Sequence, residues 1–192
     1  CCMTLAEHIT NERFCMQPFK SLSNTVVSTA LFALATLTQA ADNSTLIAQA
    51  RSAAPSMVSA EATIMYRGKV LAKGSNDWIC LPETLPDDNA PMCNDGQWMA
   101  MMKAVGNKAA FQSQGIGFSY MLAGDGGVSN STPYHADHAN APDFIKEGGH
   151  LMLIVPKELL SGVTDDPHAG GPYVMWRNTP YAHLMIPVGE RP

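Results

Sequence analysis

Two stretches of the chain place a histidine in front of nearly the same apolar run: GGHLMLIVP at 148–156 and YAHLMIPVG at 181–189. Imidazole titrates near neutral pH and ligates Zn or Cu through a ring nitrogen. Strand alternation decides which side chains share a face with each ring. In 150–155, His150, Met152 and Ile154 point one way and Leu151, Leu153 and Val155 the other. In 181–187, Tyr181, His183 and Met185 go together, opposite Ala182, Leu184 and Ile186. Both runs are apolar on both faces, which predicts two central strands. If these strands are neighbours, His150 and His183 form a candidate ligand site with Tyr181 or Tyr173 nearby. Such a site suits a small ligand, a divalent metal or acid–base chemistry. The competing reading is two half-buried histidines whose ring nitrogens bond backbone groups, as buried polar groups normally do. Two histidines are too few for a structural zinc, and spacing assigns them no carboxylate.

His135, Asp137 and His138 stand together in HADH, 135–138, as a second candidate metal site. The surrounding Pro, Asn and Gly predict a loop, and the second half of any zinc-enzyme spacing is missing, so a solvated polar loop competes with it. GDGGVSNS, 124–131, offers Asp125 and Asn130 as oxygen donors. It lacks EF-hand spacing and the Gly-Lys-Ser/Thr ending of a P-loop, and reads as a structural turn. Among twelve methionines, Met65, Met121, Met152, Met175 and Met185 fall one to a strand. Thioethers select Cu(I), yet methionine also fills irregular cores, and core filling is the reading the scattered positions favour. A Gly-x-Ser-x-Gly elbow is missing, which lowers the expectation of hydrolase chemistry.

The elements that must carry these residues follow from capping, periodicity and turns. Asn43 and Ser44 start an N-terminal helix that Pro55 stops. Residues 62–66 and 69–72 flank Arg67-Gly68 as a tight hairpin, and Trp78-Ile-Cys-Leu81 is a third strand. Asp95 caps a helix with Trp98, Met101, Met102 and Val105 on one face, closed by Gly106. Strands follow at 115–124, 150–155, 173–176 and 181–187, with a long aperiodic segment at 124–149. The order predicts an α+β fold: a single domain with a mainly antiparallel sheet of about five to seven strands, two or three helices on one side, and one disulfide.

The N-terminal part has a different character. From Met16, Lys20, an apolar stretch from Val26 to Leu37 and Thr38-Gln39-Ala40 have the order of a secretory signal peptide. The expected division is 1–15 as upstream translation (Met16 favoured as the start over Met3), 16–40 as signal, and 41–192 as the α+β domain. The expected location is periplasmic or extracellular. In that setting Cys80 and Cys93 pair, separated by LPETLPDDNAPM. The formal charge of −5 and the lack of a basic cluster exclude nucleic acid and anionic membrane surfaces as natural partners. The apolar run is shorter than a membrane-spanning helix, so no stable membrane insertion is expected after signal removal.

The segments GSNDWICLPETLPDDNAPMCNDGQWM, GGHLMLIVP and PYVMWRNTPYAHLMIPV resemble a group of uncharacterised exported bacterial proteins. The likeness runs over most of the chain from SAAPSMVSAEATIM onward. It implies a single exported domain and nothing about substrate. The function expected from the sequence is binding of a small ligand or an envelope protein partner without catalysis. The alternatives are a metal-assisted hydrolase or lyase using His150 and His183, and a purely structural envelope protein.

Overall fold

A computed structural model describes residues 42–192. The expected signal segment and the residues before it lie outside the described part. Helix α1 covers described residues up to 51, and α2, Ser56–Ser59, follows Pro55. Hairpin β1 (Thr63–Tyr66) and β2 (Lys69–Ala72) turns through Arg67 and Gly68, both at positive φ (46° and 76°). Two left-handed residues in a two-residue loop match the twist of the flanking strands, as the Arg-Gly pair predicts. Next come β3 (Ile79–Leu81), β4 (Met92–Asn94), helix α3 (Gly96–Gly106) and β5 (Gly117–Met121). The chain ends with β6 (Val128–Ser129), β7 (Phe144–Ile145), β8 (His150–Ile154), β9 (Tyr173–Met175) and β10 (His183–Pro187).

Eight strands form one sheet in the order β2-β1-β3-β4-β5-β8-β10-β9, and β6 and β7 pair separately. The sheet is thus larger than the five to seven strands expected, and it is mixed: β1 and β3 run parallel, the other neighbours antiparallel. The added strand is β4, three residues hidden between Pro91 and the Asp95 cap, too short to show a period. The segment 124–149 also carries more order than expected. Its β6–β7 ladder is held by the Asp143 carboxylate, which accepts from the Ser129 hydroxyl and the Ser131 backbone N–H.

The helices do not lie on one side. Ala50 of α1 and Ala53 just after it pack with Ile64, Cys80 and Cys93, whereas Trp98 and Met101 of α3 pack with Met121, Met152 and Met185. Adjacent residues in β4 belong to the two clusters, Cys93 to the first and Met92 to the second, so the helices cover opposite faces. Asp95 sets the position of α3. One carboxylate oxygen accepts from the Trp98 N–H (2.8 Å) and the other from the Phe118 N–H of β5 (2.7 Å), fastening the helix start to the sheet. Gly117 permits the close approach, since a Cβ there would stand 2.8 Å from that of Gln97. Among the described residues no helix is long and apolar enough to cross a membrane.

Cys80 and Cys93 are bonded, facing each other across β3 and β4. The covalent loop constrains the unfolded chain, so replacing both by alanine lowers stability by about 3 kcal/mol in the chain-entropy account. A urea unfolding curve of the double variant measures it.

Candidate functional site

The two histidines that open the apolar runs lie on adjacent strands and on the same face. Pro187 pairs with His150 and Leu184 with Leu153, which puts His150 and His183 four residue positions apart along the strands. At the rise of a strand this is roughly 13 Å between backbones. Between them Met152 pairs with Met185. Across the outer boundaries Met121 stands opposite His150 and Met175 opposite His183. The buried face therefore reads in three rows. Met121–His150 is the first, Asn94–Ser119–Met152–Met185–Tyr173 the second, and His183–Met175 lies in the third.

A cavity of about 340 Å³ lies over this face, with Trp98 and Met101 of α3, Trp176 and the Asp125–Val128 turn in its wall. A larger groove of about 530 Å³ runs between 110–113 and 154–158. That groove is flanked by Lys157 and Glu158, both exposed, and contains none of the buried, unpartnered polar atoms. The smaller cavity is lined by the three residues that carry His150 Nε2, His183 Nε2 and Trp98 Nε1. Leaving a buried polar group without a partner costs about 1–3 kcal/mol, which makes these residues the candidates for holding a ligand.

The other nitrogen of each ring fixes what Nε2 can do. His150 Nδ1 lies 2.7 Å from the Gly148 carbonyl and His183 Nδ1 2.9 Å from the Tyr181 carbonyl. A carbonyl only accepts, so Nδ1 carries the hydrogen in both rings and a neutral ring presents the Nε2 lone pair. His183 is held neutral: burial, opposed by the bond to the Tyr181 carbonyl and aided by nearby His150, pushes its pKa down to about 4. Its ring stands edge-on between two indoles, with centroids 5.1 Å from Trp98 and 5.0 Å from Trp176. Trp176 occupies a left-handed backbone conformation (φ 53°), strained for a bulky residue. Its N–H bonds Asn130 O and its indole donates to Ser129 O, and these two bonds hold it over His183.

His150 faces Asp125, with Nε2 and Oδ2 3.9 Å apart, beyond hydrogen-bond reach. The other Asp125 oxygen accepts from the N–H groups of Gly127 and Glu147. Burial raises the pKa of this carboxylic acid, opposed by those hydrogen bonds and by the His150 charge. One carboxylate oxygen with spare capacity therefore stands beside the His150 Nε2.

Tyr173 and Tyr181 do not join the site. The Tyr173 hydroxyl donates to buried Glu147, and that of Tyr181 donates to the Ala109 carbonyl while accepting from Tyr134. Burial beside the Glu147 carboxylate drives the Tyr173 pKa far up, which keeps the hydroxyl a donor. Strand β10 begins at His183, so Tyr181 lies before it rather than in register with the face. In HADH, His135 and His138 have ring centroids 6.2 Å apart, and Asp137 is exposed and bonded to Asn140. Among the described residues no three His, Cys, Asp or Glu side chains come together as a metal-holding group. Of the three, His138 alone reaches the cavity wall, its Nδ1 accepting from the Ser129 N–H.

Sequence reasoning missed Asp125 as a neighbour of His150, the Trp98 N–H, and the grouping of the methionines around the histidines. The helical spacing of Trp98 placed it correctly on the core side but left its polar atom unexamined. Comparison with protein-family models, curated proteins and solved structures gives no match.

Proposed function

We propose that this domain is an exported binding protein that takes a small ligand into the cavity and holds it through His150 and His183 without turning it over. The observation that carries the reading is that three residues lining one largely apolar cavity carry buried, unpartnered polar atoms. A few fixed polar groups in an apolar wall are the usual composition of a small-molecule site, and the volume lies at the small end of such sites. Export is supported by the disulfide, which persists in oxidising compartments. The absence of turnover is supported by the nearby hydroxyls: those of Tyr173 and Tyr181 are already spent on Glu147 and on the Ala109 carbonyl. The hydrolase or lyase reading draws its one support from Asp125 beside His150, a pair that could move a proton.

Phenol, a neutral probe with one hydrogen-bond donor, tests the reading. Trp98 and Trp176 line the cavity, so their fluorescence reports occupancy. The expected result is a saturable change in emission that is lost when His150 and His183 are both replaced by leucine in a variant that still unfolds cooperatively. Linear collisional quenching alone, the same in wild type and variant, would contradict it.

A further inference from the structure

We infer that the cavity takes a primary organic ammonium ion whose charged nitrogen sits between Asp125 Oδ2 and His150 Nε2 and donates one N–H to each. The inference rests on the binding reading above and names its ligand class.

The spacing of the two acceptors comes first. Oδ2 and Nε2 stand 3.9 Å apart, too far for a bond between them. One donor atom at hydrogen-bond distance from both closes a triangle with an apex of roughly 85–90°. Two N–H groups of a tetrahedral nitrogen span that angle with slightly bent bonds. His150 is fully buried, and its Nε2 has no partner. The hydrogen bonds to the Asp125 carboxylate fall on Oδ1, from the Gly127 and Glu147 N–H groups. The Asp125 N–H in turn donates to the Glu147 carbonyl, so the turn and residue 147 grip each other and hold Oδ2 in place.

Charge points the same way, because a buried carboxylate needs a counter-charge. Buried Glu147 has Arg191, and Asp88 in the cavity wall accepts from Thr84, Leu85 and Ala90. No lysine or arginine is among the described residues that line the cavity, so Asp125 leaves the charge to the ligand. A protonated His150 would also supply it, but an imidazolium–carboxylate pair closes to about 2.7–2.9 Å, well inside the 3.9 Å found here. Burial raises the pKa of Asp125, and an incoming cation favours its ionised form.

A metal ion fits less well. Ca(II) and Mg(II) take several oxygens and Zn(II) further imidazoles or thiolates, and among the described residues no three such side chains meet. An organic cation also uses the apolar wall. Met121 lies opposite His150 and Met152 two residues along the same face, both buried and both lining the cavity. Their thioether side chains make an adaptable bed for a carbon skeleton.

The test is isothermal titration calorimetry of the wild-type protein at pH 7 with three probes. These are 2-phenylethylamine, its neutral counterpart 2-phenylethanol, and the trimethylated ammonium, which keeps the charge but has no N–H. The amine should bind with one-to-one stoichiometry and at least ~10-fold more tightly than either, the factor one hydrogen bond to a charged group contributes. In Asp125→Asn, which keeps an oxygen for the Gly127 and Glu147 N–H groups, the advantage of amine over alcohol should disappear. A water bridging the pair is the simpler occupant, and it gives the amine no advantage in the wild type.

An amine no tighter than the alcohol or the trimethylated probe overturns the inference, whether or not the variant folds. An advantage that survives in a cooperatively folded Asp125→Asn overturns it as well. If the amine shows no advantage while phenol still binds saturably, the ligand is a neutral molecule and the binding reading stands. If neither phenol nor the amine binds, both readings fall.

Discussion

Between pH 7 and pH 4 the protein loses on the order of 3 kcal/mol of folding stability through His183 alone. The unfolded chain takes up a proton on this ring near the ordinary value of 6.5, whereas in the fold burial lowers the pKa to about 4. Through that window the unfolded state binds more protons than the folded one, so stability falls as pH falls. The loss begins near 6.5 and is complete below about 4. Two other groups act in or near this range. Asp125 has a raised pKa and works in the opposite sense, since its folded form binds a proton more readily than the unfolded chain. Asp143 has a lowered pKa, held down by its hydrogen bonds from Ser129 and Ser131, so its contribution is lost below the ordinary aspartate range. Both remain in a His183→Leu variant. The difference between wild type and that variant across urea unfolding curves at several pH values isolates the histidine. Parallel pH profiles would show that His183 is not held neutral.

Removing the Arg191 guanidinium, as in Arg191→Met, is expected to cost about 3 kcal/mol, because it leaves a carboxylate buried without its counter-charge. Glu147 is 1 % exposed and accepts from Arg191 Nε (3.2 Å) and Nη2 (2.5 Å), with the Tyr173 hydroxyl as its further donor. Arg191 is about a third exposed on its own side (31 %), which sets the value at the low end of the range for breaking buried pairs. The consequence reaches the site. The N–H groups of Val188 and Gly189 bond to Gly149 O, and a Cβ on Gly148 would meet the Glu190 carbonyl at 1.9 Å, so the last strand's tail and residues 147–149 are locked face to face. Gly148 is also the residue whose carbonyl orients His150. Arg191→Met should therefore weaken phenol binding as well as stability. A second variant, Glu147→Gln with Arg191→Met, should recover much of the stability, since no unpaired charge remains. Equal losses in the single and double variants would contradict the account.

Much of the frame was legible in the sequence because it rests on local rules. Asp95 announced a capped helix and the Arg67-Gly68 pair a hairpin. Alternation in the two His-Leu-Met runs set each ring on one face of its strand with Met152 or Met185, while the pairing of the two strands was only a condition of that reading. The cysteine pairing followed from their isolation in the expected exported segment. What stayed illegible depends on contacts distant in sequence. Parallel pairing of β1 with β3 leaves no periodic mark, and β4 is three residues long. Tyr181 looked like a site residue because alternation was carried two positions past the start of β10, and Tyr173 because nothing in its surroundings showed buried Glu147. Asp125 read as a turn residue, which it is; that the turn folds back on His150 is a tertiary fact. The methionines read as filler one strand at a time, and only the register shows them ranked around two lone pairs.

The account's central claim is that the Nε2 atoms of His150 and His183 are free acceptors inside the cavity. Long-range nitrogen–proton NMR of the histidine rings at pH 7 tests it most directly. The predicted spectrum shows both rings protonated on Nδ1 and not on Nε2, with at least one Nε2 resonance moving as phenol is added. Rings protonated on Nε2, or two Nε2 resonances that both stay in place through the titration, would contradict it.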